Sequence, residues 1–170
     1  MEGELHDLGG GRWQLRFTRR LAHPLDVVWG ALTGPEQLRA WFPQTITGDL
    51  LTAGAALSFD TEHGSFPGHV LRVEPPTLLE FAWGTDTICL ELAGDDRACT
   101  LTLSDTIDEL GKAARDAAGW HTCLDLLEAG LTGSAPAFTS GERWASVHPR
   151  YVQRFGPPAS TIGPPRPPTP

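Results

Sequence analysis

ELGKAARDAAGWHTCLDLLEAGL, residues 109 to 131, reads as one long helix, and what precedes it decides the fold. Ala113, Ala117, Trp120, Leu124, Leu127 and Leu131 recur at spacings of four and three, which makes a single apolar stripe. Some 20 residues rising 1.5 Å each give roughly 30 Å, enough to cross a small domain. Gly119 interrupts the interior, where glycine costs about 1 kcal/mol against alanine. It is expected to mark a kink or a close approach to a sheet. Gly130 and Gly133 are the stop signals.

Upstream, residues 44 to 104 carry β signals throughout. ITGDLL, ALSFD, GHVLRVEPP, TLLEFAWG, TICLELA and ACTLTLSD follow one another with turn residues between them. Glu74-Pro75-Pro76 marks a turn, because prolines cannot sit in a central strand. Ala93-Gly94-Asp95-Asp96 reads as a hairpin loop. Alternation places Leu57 and Phe59, then Leu79, Phe81 and Trp83, then Ile88, Leu90 and Leu92, then Leu101 and Leu103 on one face. Leu71 and Val73 are expected to face the same way, and Glu80 to face solvent.

Before that meander, RWQLRFTRR alternates as a strand with one buried face. The period then changes. His23-Pro24 opens a helix whose stripe is Val27, Val28, Ala31 and Leu32, with Trp29 at its edge. Thr33-Gly34-Pro35-Glu36 reads as a capping box for a second, short helix. In that helix Leu38, Trp41 and Phe42 share a face, and Pro43 stops it. One of the two aromatics is expected to anchor the helix and the other to border a pocket mouth.

The order β-α-α-β(six)-α predicts an α+β helix-grip fold: a curved antiparallel β-sheet wrapped around a long C-terminal helix, with two short helices between strands 1 and 2. The expected organisation is a flexible N-terminus (1–11), one domain (12–133), a C-terminal helical extension (134–156) and a Pro-rich flexible tail (157–170) that is dispensable for stability. Trp144, Val147, Tyr151 and Phe155 give the extension its helical spacing, and Pro149 is expected to break it into one or two short turns.

Composition narrows the partners. The chain is 40% apolar and 20% charged, with 13 basic against 21 acidic residues and a net charge of −8. That balance, with no Lys/Arg cluster, speaks against nucleic acid. No apolar run reaches the ~20 residues of a membrane span, and MEGELHDLGGG lacks signal-peptide character. A cytoplasmic protein, monomer or homodimer, is expected. Cys89, Cys99 and Cys123 then read as free thiols, with Cys89 and Cys99 on opposite faces of the sheet.

The residues assign no catalytic group, no metal and no cofactor. Six histidines, His63 and His69 among them, form no HxH, HxxxH or HExxH. Glu80, Asp60, Asp105 and His121 are the acid–base candidates, and His121 is the best of them. What the pattern does predict is a pocket. The alanine-rich half of the long helix faces large aromatics and leaves room between helix and sheet. Trp41, Phe42, Phe59, Phe81, Trp83, Ala117, Trp120 and His121 are its expected lining, with His121 as the one polar anchor.

HPLDVVWGALTGPEQLRAWFP, GDL…AG…F, HVLRVEPPTLLEFAW and AGWHTCLDLLEAGLTG together resemble the SRPBCC (START-like) superfamily, in the branch similar to the activator of heat-shock-protein-90 ATPase. The resemblance covers residues 12 to 133. It rests on Val28 to Thr33, Trp41-Phe42, Trp83 and Gly119-Trp120. WASVHPRYVQRF resembles a C-terminal extension of some bacterial members. The resemblance implies the same helix-grip fold. For function it implies hydrophobic-ligand carriers, chaperone co-factors, and polyketide cyclases or dehydratases, and it transfers no catalytic residue. The expected function is binding of a small hydrophobic molecule without catalytic machinery. The alternatives are a chaperone co-factor or other protein-interaction module, and a cyclase/dehydratase-like enzyme.

Overall fold

The computed structural model describes residues 2–164. Its strands are β1 (Glu4–Gly9), β2 (Arg12–Leu21), β3 (Thr45–Gly48), β4 (Ala56–Thr61), β5 (Gly64–Glu74), β6 (Leu78–Trp83), β7 (Asp86–Gly94) and β8 (Cys99–Ile107). Its α-helices are α1 (Leu25–Thr33), α2 (Pro35–Trp41), α3 (Ala113–Thr132) and α4 (Ser140–Phe155). The strands form one antiparallel sheet in the order β1-β2-β8-β7-β6-β5-β4-β3, and α3 lies in its concavity. This is the helix-grip architecture that the alternation of strands and helices predicts.

Cross-strand pairs on the inner face fix the register. Phe17, Leu103, Leu90 and Leu79 lie opposite one another across β2, β8, β7 and β6. The next row runs Leu15, Asp105, Ile88, Phe81 and Val70. A one-residue slip would turn every one of these side chains to water, so the apolar rows specify a single pairing. Asp105 is the one polar member of either row.

Several sequence expectations are corrected. The N-terminal segment is not a flexible lead: Glu4–Gly9 pairs with β2 through a turn in which Gly9, Gly10 and Gly11 all take positive φ. In α1, Val27 is 48% exposed, and Val28, Ala31 and Leu32 alone carry the stripe. Thr33 does not cap α2. It ends α1 with its hydroxyl bonded to the Trp29 carbonyl, so Gly34 becomes the cap and Pro35 the first residue of α2. In β5 a register shift between Val70 and Arg72 turns Val70 inward and leaves Leu71 39% exposed, against expectation, while Val73 lies opposite inward-facing Leu79 and packs on the core as expected.

The C-terminal part departs furthest from expectation. α4 runs unbroken through Pro149. A capping box between Thr139 and Glu142 starts it, and burial of Val147 and Tyr151 against the body offsets the hydrogen bond that the proline removes. The residues after α4 dock as well. Pro157–Ser160 make a 3₁₀ turn, Ala159 is buried, and the Ile162 amide donates to the Gly111 carbonyl at 3.0 Å. The expectation of a free tail therefore fails for residues 157–164; its remainder, 165–170, lies outside the described residues.

Candidate functional site

The alanine face of α3 is close-packed. Ala113, Ala114, Ala117 and Ala118 are all fully buried. Phe42, which follows α2, packs into the same core. Its ring centroid lies 5.6 Å from Trp41, 5.7 Å from Trp120, 6.1 Å from Phe81, 6.2 Å from Phe59 and 6.3 Å from Trp83. Phe42 is thus the hub of an aromatic cluster and only 6% exposed. Trp41 is buried too, and its indole N–H donates to the Ala31 carbonyl at 2.9 Å. Both aromatics anchor, and neither gates an interior pocket.

The structure therefore brings together Trp41, Phe42, Phe59, Phe81, Trp83 and Trp120, all expected at the site, but as packed core. Ala117 is buried in the same core. His121 is not among them. It lies on the α4 side of α3, with Nδ1 2.8 Å from the Tyr151 hydroxyl and Nε2 3.2 Å from an Arg143 nitrogen and 3.5 Å from an Asp125 oxygen. The Tyr151 oxygen in turn accepts from the Gly3 amide at 2.9 Å. Burial holds the imidazole neutral by lowering its pKa to about 4. His121 ties α3, α4 and the N-terminal segment together, and does not serve as the anchor of an apolar pocket.

What remains open is a furrow on the outer side of α3. Its inner section, about 180 Å³, runs between Pro43 and Trp83 on one side and Trp144 on the other, with Gly119, Trp120 and Cys123 as floor. Pro43, Gly119, Cys123 and Trp144 continue into a wider section bordered by Arg39, Trp41, Phe42, Leu126 and Ser140. Gly119 is the reason the floor is low. A Cβ built there would meet nothing within 4 Å, so the glycine answers neither to a kink nor to a sheet contact. The Cys123 thiol is pushed up to about 12 by burial, which keeps it protonated and unreactive. All three cysteines are free. A second groove lies between α1, α2 and the end of α3, where exposed Val27 meets Leu126 and Leu131.

Beneath the inner end of the furrow is a polar cluster that only alternation along β8 could have found: Asp105 follows Leu101 and Leu103 in phase. Asp105 is fully buried and accepts from the Trp120 indole N–H at 2.8 Å. Its other oxygen has no partner among the described residues. Burial, with the neighbouring Asp86 carboxylate, pushes its pKa up to about 8. Asp86 is held by Lys112, whose ammonium lies 2.7 Å from both carboxylate oxygens. Asp116 accepts from Arg115 at 2.7 Å. Glu80 and Asp60, the other carboxylates considered, lie on the opposite face of the sheet from this cluster: Glu80 meets Arg72 at 3.2 Å, and Asp60 accepts from Ser58 at 3.0 Å.

Comparison with known proteins agrees with the fold. No curated protein sequence matches the chain. Among solved structures, EF2215 of Enterococcus faecalis, a conserved protein of unknown function, superposes with a TM-score of 0.74 at 16% identity, covering 90% of each chain. CalU16 of Micromonospora echinospora superposes at 0.68 with 22% identity, over 88% of this chain and 97% of its own. A protein encoded by gene BPP1335 of Bordetella parapertussis gives 0.68 at 26% identity, over 90% and 91%. No described helix is long and apolar enough to cross a membrane. Residues 22–132, more than half of the sequence, match a family of the SRPBCC type, and the chain belongs to it: the Activator of Hsp90 ATPase homolog 1-like proteins.

Proposed function

We propose that this START-like domain binds a small, flat, apolar molecule in the furrow along α3, between Pro43 and Trp144, and that it does so in the cytoplasm. The observation that carries the reading is Gly119. A glycine in a helix interior costs about 1 kcal/mol against alanine, and here, although its neighbours in α3 are buried, no packing contact requires it. Its effect is to keep a low floor between three tryptophans, Trp83, Trp120 and Trp144. A planar ligand burying roughly 200 Å² of apolar surface there gains about 5 kcal/mol before the costs of association. That suits weak binding, with a Kd of roughly 0.2 mM or higher, and aromatic faces rather than charges setting the preference.

Gly119→Leu tests it. Leucine is a good helix former and would project into the furrow, so the variant should fold and lose binding of the neutral dye Nile red, whereas Gly119→Ala should keep it. Unchanged dye binding by a folded Gly119→Leu protein would exclude the furrow. A second reading, docking of another protein, has its own observation: the exposed Val27 beside Leu126 and Leu131 in the α1–α3 groove. Val27→Asp should leave dye binding intact, which separates the two surfaces.

A further inference from the structure

Asp105 interrupts a row that is otherwise apolar across five strands. Each element packed around it can be named. β2 offers Leu15, β7 offers Asp86, the turn before α3 offers Lys112, and α3 offers Asp116 and Trp120. One carboxyl oxygen from each of Asp86, Asp105 and Asp116 lies within 4.8 Å of the others. The two nearby cations are spoken for: Lys112 pairs with Asp86 and Arg115 with Asp116. Asp105 has the Trp120 N–H and nothing else among the described residues.

An ionised Asp105 would leave one uncompensated negative charge in a dry interior beside two carboxylates, an arrangement that proteins avoid. A metal ion is not the remedy this geometry offers, since the Lys112 ammonium already spans both oxygens of Asp86. A proton on the stranded Asp105 oxygen removes the charge. It also turns an orphaned acceptor into a donor with carboxylates close by.

This cluster reaches the furrow. Asp116 and Trp120 line its inner section. A ligand seated there displaces water from that end of the cluster, and removing water makes a buried negative charge costlier still. We propose that the furrow's ligand and a proton on Asp105 bind cooperatively, so that occupancy of the site is gated by pH. The proposal rests on the furrow reading above. Because burial pushes the Asp105 carboxyl up to about 8, the gate falls at mildly alkaline pH.

The test uses the full chain and Nile red as probe, with wild type and Asp105→Asn compared between about pH 6.5 and about pH 9.5. Asparagine keeps the shape of the neutral acid and cannot ionise. Wild-type affinity should weaken about tenfold for each unit by which the ligand raises the proton affinity of Asp105, and Asp105→Asn should bind equally at both ends. Wild-type binding that ignores pH, or the same slope in Asp105→Asn, overturns the linkage and leaves the furrow standing. No dye binding at either pH overturns the furrow reading and the linkage with it. Should Asp105→Asn fail to fold, carboxyl carbon NMR of the wild type decides: a buried aspartate titrating near pH 8 supports the proposal, and an Asp105 ionised throughout the neutral range overturns it.

Discussion

Phe42→Ala should remove a large share of the protein's stability. Phe42 is 6% exposed and touches five other aromatic rings at centroid distances of 5.6 to 6.3 Å. Truncating a buried phenylalanine to alanine costs about 3–5 kcal/mol, because the lost transfer energy is joined by the cavity left behind. The ring pairs add about 0.5–1.5 kcal/mol each in isolation, but they share one side chain and do not sum. The upper part of that range is expected here, since the surrounding rings are stiff and cannot collapse into the gap. Against a typical total of about 5–15 kcal/mol, this is a third or more. Urea unfolding followed by tryptophan fluorescence measures it, and Phe42→Leu gives a milder check at about 1 kcal/mol. A loss below about 1 kcal/mol for Phe42→Ala would refute the core role and return Phe42 to the pocket mouth. In that case the interior between sheet and α3 would already be open.

Gly119→Ala should stabilise the protein by about 1 kcal/mol, raising the melting temperature by roughly 2–4 °C; a drop would mean that the furrow floor is close-packed. Ending the chain at Phe155 should cost roughly 1–2 kcal/mol through loss of the buried Ala159 and of the Ile162–Gly111 hydrogen bond; unchanged urea unfolding would return this segment to a free tail. Two buried groups set opposing pH slopes on stability. His121, held near 4 against an ordinary value of 6.5, loses stability as pH falls from 6.5 towards 4, because the unfolded chain binds the extra proton. Asp105, held near 8 against 3.8, loses stability as pH rises from 3.8 towards 8, because unfolding releases its proton. Their sum is nearly flat between pH 4 and 6.5 and falls between 6.5 and 8. Thermal melts of Asp105→Asn should lose the alkaline fall and uncover the His121 rise, and a fall that persists would contradict the assignment.

The fold was legible because periodicity is repeated. Six strands alternate, α3 carries one clean stripe, and each inward residue agrees with its cross-strand neighbour. The local departures share a cause: each short motif competes with partners that its own sequence does not show. Thr33 had a carbonyl to satisfy in α1 before it could cap α2. Pro149 looked like a breaker because the strength of the Tyr151 and Val147 contacts is tertiary. The β5 bulge adds one residue to the count, which no alternation pattern shows in advance. The candidate site was half legible. The correct aromatics were in view, but whether they line a space or fill it depends on where Phe42 projects, which spacing alone does not give. Gly119 stands out in the sequence, but it faces open space rather than the sheet. Asp105 stands among the acid–base candidates by residue type, and its phase with Leu101 and Leu103 puts it on the buried face.

The indole N–H resonances of the six tryptophans test the central claim most directly. Those of Trp83, Trp120 and Trp144 are each held by a hydrogen bond, to Gln44, Asp105 and the Arg115 carbonyl. Titrating isotope-labelled full-length protein with a flat neutral probe, 2-naphthol, should move these three and leave Trp13 and Trp29 in place. A shift confined to Trp41, with Trp83, Trp120 and Trp144 unmoved, would put the ligand in the α1–α3 groove, and no shifts at saturating probe would contradict a ligand-binding furrow altogether.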